Sequence, residues 1–130
     1  MSPVDELVLD TPTLVALGGN KQVSGLVHAA ATTGDLRLWV PMLCLLEAER
    51  ERSGITEHVG LLLDALHLVD DDYALTLTVA ELGRRGVPHG MAAAVHMSRP
   101  NPAVPLGALV ATVEPDAYGG LGVPVFDLNR

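Results

Sequence analysis

Five short aliphatic runs, separated by longer segments of helical periodicity, constrain this chain more than any other feature. They are residues 5–9 (DELVL), Leu36–Val40 (LRLWV), Leu66–Val69 (LHLV), Leu106–Thr112 (LGALVAT) and Val123–Phe126 (VPVF). Each is too short for a stable helix and reads as a buried strand. Strands that alternate with helices pair in parallel, because a parallel neighbour can be reached only through a crossover. The alternation therefore predicts an α/β sandwich around a mostly parallel sheet.

The intervening segments carry their own start and stop signals. Asp10-Thr11 stands where a helix N-cap belongs, with Pro12 at the first helical position, and Gly18-Gly19-Asn20 ends that helix early. Asn20 caps a second helix over 21–33, with Val23, Leu26, Val27 and Ala30 on one face. Pro41 opens a helix that runs through Arg52. Ile55–Leu66 shows a stripe of Ile55, Val59, Leu62, Leu63 and Leu66. Asp70-Asp71-Asp72 starts a helix from about 71 to 85, where carboxylates suit the positive end of the helix dipole. An Ala-rich helix covers 89–98, Arg99–Pro105 is a proline-rich loop, and Glu114–Tyr118 forms a helical turn. No repeat or linker divides the chain, so residues 1–130 read as a single domain.

Composition sets the chemistry. Aromatic residues are limited to Trp39, Tyr73, Tyr118 and Phe126, so the core is aliphatic and no platform for stacking bases is available. A net charge of −8 argues against broad attraction to phosphate backbones and suits a small cation-holding site or a basic partner. Cys44 is the single cysteine, which excludes an internal disulfide and a cysteine-rich zinc site. The N-terminus has no basic segment leading into an apolar one, and no uninterrupted apolar stretch reaches about 18 residues. The expectation is a soluble, cytoplasmic protein that does not engage membranes.

The carboxylates fall at informative places. Ligands of parallel sheets bind beyond the C-terminal ends of the strands. The first strand ends at Asp10-Thr11, and LGALVAT ends at Thr112, with Glu114 and Asp116 just after it. Glu47 lies beside the apolar face of the third helix, whereas Glu49 and Glu51 read as lying away from it among charges. A carboxylate next to a buried stripe needs a cation, a hydrogen-bond donor or a raised pKa. If the first strand and LGALVAT are neighbours, their acids meet at one edge of the sheet.

The stretches VLDT, VPMLCLLEAE, TVEPDAY and VPVFDL, with DDDYALTLTVAELGRRGVPHGMAAAVHMS between them, resemble the PIN domain family over essentially the whole chain. PIN domains are small α/β nucleases, best known as the VapC toxins of toxin–antitoxin pairs. The resemblance implies a three-layer sandwich with about five strands in its central sheet. It also implies a Mg²⁺- or Mn²⁺-dependent endoribonuclease whose site gathers four acids. By that resemblance Asp10 is the first acid, Glu47 the second and Glu114 the fourth, with Asp116 in reserve and Thr11 and Thr112 in support. It implies an RNA substrate, a homodimer and an antitoxin as partners.

The chain departs from the family's pattern at three positions. The third acid should begin GMAAAVHM, and Gly90 stands there. Pro12 replaces the usual Ser or Asn, and Glu114 replaces the usual Asp. Two ions about 3.5–4 Å apart would clamp the attacking and leaving oxygens. Loss of the third acid empties the second ion position, so a reduced site with one ion is expected. The rival expectation is a catalytically inactive PIN-like domain that serves as a protein-interaction module.

Plainer readings stand beside these. Asp10 can be a helix cap worth about 1 kcal/mol, and the same atoms can cap and ligate. Glu47 can pair with Arg50, and Glu114 before Pro115 is ordinary helix-start chemistry. In the blandest case every acid is a cap or a surface charge. The five histidines share no ligand spacing, and Cys44 reads as a small buried hydrophobe.

Overall fold

The computed structural model describes residues 4–129. The elements follow in the order β1 (Asp5–Leu9), α1 (Thr11–Val15), α2 (Lys21–Thr32), β2 (Leu36–Pro41), α3 (Met42–Glu51), α4 (Ile55–Gly60) and β3 (Leu66–Val69). Then come α5 (Tyr73–Gly83), α6 (His89–Ser98), β4 (Leu109–Thr112), a single 3₁₀ turn (Pro115–Tyr118) and β5 (Val125–Asp127). The five strands form one sheet in the order β3-β2-β1-β4-β5, and every pairing is parallel. Helices flank this sheet, giving the α/β sandwich that the alternation predicts. No helix among the described residues is long and apolar enough to cross a membrane.

Strand order decides where a ligand can sit. From β1 the chain moves outward to β2 and β3, then returns to place β4 on the other side of β1. The direction of winding reverses between β1 and β4, and a crevice opens at such a reversal beyond the strand ends. Leu7, Val8 and Leu9 pair with Leu109, Val110 and Ala111. That register sets Asp10 and Thr112 side by side, one step beyond Leu9 and Ala111.

The core is aliphatic as composition requires. Val8, Leu9, Leu14, Leu38, Val40, Val110 and Ala111 are completely buried. Burying one such Val or Leu is worth about 1.5–3 kcal/mol relative to exposure, so the central strands are strongly anchored. In α6, Ala92, Ala93 and Ala94 have no exposed surface. Their small side chains let α6 lie close to β1, β2 and β4 and also against α3.

Several boundaries differ from the pattern in the sequence: β5 runs Val125–Asp127, not Val123–Phe126, α5 is shorter than 71–85, and two further shifts have a clear cause. The stripe read over Ile55–Leu66 breaks at Gly60, and residues 61–65 form turns. Ile55 and Val59 are buried, whereas Leu63 is half exposed, because the chain leaves helical periodicity before reaching it. The run LGALVAT contributes only its second half to β4. Gly107 has a φ of +81°, and a Cβ there would stand 2.2 Å from the Ser98 carbonyl oxygen. That tight turn against α6 leaves Leu106 exposed and delays strand pairing to Leu109.

Candidate acidic cleft at the sheet edge

Asp10 ends β1 and caps α1 from an extended backbone conformation. Its side chain is only 1% exposed, so the charge must be met inside the protein. Thr13 meets Oδ1 twice, through its hydroxyl at 2.6 Å and its backbone N–H at 3.3 Å. Tyr118 donates its hydroxyl to Oδ2 at 2.7 Å. Thr13 Oγ1 also accepts from the Val113 N–H at 3.2 Å, which ties α1 to the end of β4. Asp10 therefore keeps one acceptor position, on Oδ2, beyond these internal donors.

Glu47 lies on α3 and is partly buried. Its Oε1 accepts from the Gly90 N–H at 3.0 Å and from the Thr11 hydroxyl at 3.2 Å. Its partners are thus the first turn of α6 and the first residue of α1, not Arg50. Glu47 Oε2 has no hydrogen-bond partner among the described residues. Completely buried Cys44, one turn earlier on α3, points Sγ at the Gly90 carbonyl oxygen at 3.0 Å.

Gly90 is where these elements meet. A Cβ at this position would stand 2.2 Å from Glu47 Oε1 and 2.4 Å from Thr11 Oγ1. Both distances are far inside van der Waals contact. The space in which a side chain at position 90 would start is filled by the oxygens of Glu47 and Thr11.

Asp10, Thr11, Glu47 and Glu114 line one cleft of about 190 Å³, together with Pro12, Pro88, Met91 and Tyr118. Glu51 lines it as well. Sequence reasoning set Glu51 among solvated charges, yet it lies one turn beyond Glu47 and shares its face. That i, i+4 spacing was the signal available. Among the described residues, no lysine, arginine or histidine belongs to the lining. Thr112 is completely buried, and its hydroxyl oxygen accepts from the Glu114 N–H at 3.0 Å, shaping the turn that carries Glu114 to the cleft. Asp116 lines a different cavity, with Asp127 and Asn129; Glu114 and Ala117 border both.

Two neutral groups register the negative character of this region. Burial, and then the charge of Asp10, push the pKa of the Tyr118 hydroxyl far above its ordinary value. The same two causes, in the same order, raise that of the Cys44 thiol. Both groups stay protonated at neutral pH, so Tyr118 remains a donor to Asp10 and Cys44 is no nucleophile.

The donor set consists of carboxylate oxygens, which suit hard cations such as Mg²⁺ and Mn²⁺. In the observed rotamers no three His, Cys, Asp or Glu side chains among the described residues are drawn together tightly enough to hold one ion. A shared ion would need Glu47 Oε2, Glu51 and Glu114 to turn toward Oδ2 of Asp10. No family model matches this sequence, and no curated protein matches it.

Proposed function

We propose that this chain is a PIN-like domain that holds one divalent cation in the acidic cleft and cleaves RNA phosphodiesters. One observation carries this reading. Asp10, Glu47 and Glu114 are separated by tens of residues in sequence, yet they line a single cleft where the sheet reverses its winding. Glu51 adds a fourth carboxylate, and no basic side chain among the described residues of the lining offsets them.

Within this reading, Asp10 Oδ2, Glu47 Oε2 and Glu114 would hold the ion. A bound Mg²⁺ or Mn²⁺ would supply a water of lowered pKa and stabilise charge developing on the phosphate. The protein's own residues supply orientation. Thr13 and Tyr118 hold the Asp10 carboxylate in one rotamer, and the Gly90 N–H with Thr11 aims Glu47. Exposed Glu114 and Glu51 are free to close on a ligand.

The test is Mn²⁺ binding by calorimetry alongside cleavage of a mixed RNA pool, for the native protein and Asp10→Asn. Saturable binding and cleavage, both lost in the variant, are expected. Cleavage that persists in Asp10→Asn would remove the cleft from the reaction.

A second reading is favoured by a specific feature, the filled space at Gly90. A PIN-like domain with no room for the third acid, and with Tyr118 bonded to the first, is suited to binding a protein without cutting RNA. It predicts no metal-dependent cleavage of any RNA and a stable complex with another chain.

A further inference from the structure

Asp10 borders the acidic cleft, yet only 1% of its surface is exposed. Thr13 occupies Oδ1 from within the fold, and the Tyr118 hydroxyl bonds to Oδ2. Tyr118 is itself buried. Mg²⁺ gives up its waters reluctantly, so a carboxylate enclosed to this degree offers a hydrated ion no easy approach.

The segment that encloses it is tied to the protein at few points. Among the described residues, the hydrogen bonds of residues 115–123 stay local, with one exception. The N–H groups of Ala117, Gly119 and Leu121 donate to the carbonyls of Glu114, Asp116 and Tyr118, at 3.2, 3.2 and 3.1 Å. The exception is the bond from Tyr118 to Asp10, which alone reaches across to another element.

The two ends of this segment differ in stiffness. Before it, Thr112 fixes the Glu114 N–H at the end of β4. After it stand Gly119, Gly120 and Gly122. Gly120 and Gly122 have φ of +82° and +66°, and a Cβ at either would meet nothing within 4 Å. Close packing therefore does not require these glycines; the backbone conformation does, and glycine changes it at little steric cost. Such positions serve as hinges.

We propose that the turn Pro115–Tyr118 is a latch, which shuts Asp10 Oδ2 in the resting protein and lifts on the glycine segment to admit a divalent cation. This inference rests on the cation-binding reading of the cleft. Thr13 holds Oδ1 whether Tyr118 is down or lifted, so Asp10 stays oriented when the hydroxyl leaves. Without that donor the buried carboxylate is left short of a partner, which keeps the latch shut until an ion takes its place. An ion that binds only the open state shifts the population toward it. By linkage, whatever holds Tyr118 down weakens binding of the ion.

The chain has two tyrosines, and Tyr73 is 78% exposed, so Tyr73→Phe leaves Tyr118 as the only one at little cost to the fold. Incorporating 3-fluorotyrosine into that protein places a single fluorine label at position 118, with the hydroxyl retained. Titration with Mg²⁺ should move its resonance toward that of the urea-unfolded chain, saturating where calorimetry shows binding. Tyr118→Phe should bind Mg²⁺ about tenfold more tightly than the native protein, because no hydroxyl competes for Oδ2. Binding by this variant alone also supports the latch. Mg²⁺ binding to the labelled protein with an unmoved resonance, or binding by Tyr118→Phe no tighter than native, overturns the latch and leaves the cation reading intact. Binding by neither protein removes both. Should Tyr118→Phe fail to fold, the fluorine titration decides by itself.

Discussion

The Tyr118 hydroxyl donates to Asp10 Oδ2 at 2.7 Å, a bond that spans 108 residues of sequence and closes the back of the acidic cleft. It joins the end of β1 to the turn that follows β4. Because Asp10 is almost fully enclosed, this donor and Thr13 balance a charge that has little access to water.

Tyr118→Phe should therefore cost stability. It removes one donor from a buried carboxylate, a loss of about 1.5–3 kcal/mol. Urea unfolding should show a lower midpoint with an unchanged slope. Added Mn²⁺ should recover more stability in the variant than in the native protein if the cleft takes a cation, because Oδ2 is then free for it. Equal midpoints for variant and native protein would show that water replaces Tyr118 without penalty.

Gly90→Ala should destabilise the protein although alanine is the better helix former. The propensity gain is about 1 kcal/mol. Against it, the new methyl meets Glu47 Oε1 and Thr11 Oγ1, and the carboxylate must leave the Gly90 N–H. Loss of a hydrogen bond to a charged group costs about 1.5–3 kcal/mol, so a net loss of about 0.5–2 kcal/mol is expected. Thermal denaturation of the purified variant measures it. The same crowding means that the carboxylate introduced by Gly90→Asp enters only by displacing that of Glu47.

Cys44 should resist thiol reagents in the folded protein. It is completely buried, and both burial and the charge of Asp10 oppose formation of the thiolate. Labelling with a chromogenic disulfide should be negligible without denaturant and stoichiometric after unfolding. Rapid labelling of native protein would mean that α3 opens locally.

Acidification should weaken the fold through His96. Burial, more than the charge of Arg99, lowers its pKa below the ordinary 6.5, and Asp72 only partly opposes this. The unfolded chain then binds the proton first as pH falls, so stability is full above about pH 6.5 and declines below it. Thermal midpoints measured from pH 7.5 to 5 should fall more steeply for the native protein than for His96→Gln, which does not titrate. Parallel profiles would assign the acid sensitivity to other groups.

Much of the fold was legible because its causes are local. Alternating aliphatic runs and helical stripes, the cap at Asn20, the cap at Asp72 and the breaks at Gly18-Gly19 all act within a few residues. The failures came where a distant contact overruled a local pattern. Leu106 looked like strand, but the Gly107 turn packs on the carbonyl of Ser98. Glu51 looked solvated, because sequence spacing alone does not say which face of α3 borders a cleft.

The candidate site divides in the same way. The sequence by itself determined that acids stand at the ends of two strands and on one helix, since strand ends and apolar stripes can be read from nearest neighbours. Its resemblance to the PIN domain family also singled out Gly90, where that pattern expects an acid. Only the tertiary structure decided that β1 and β4 are adjacent, that Glu47 reaches Gly90 and Thr11, and that Tyr118 supplies the donor for Asp10. Those relations depend on strand order and on how closely the Ala-rich α6 approaches α3. Such long-range packing is an outcome of the whole chain's burial, and no short window of residues encodes it.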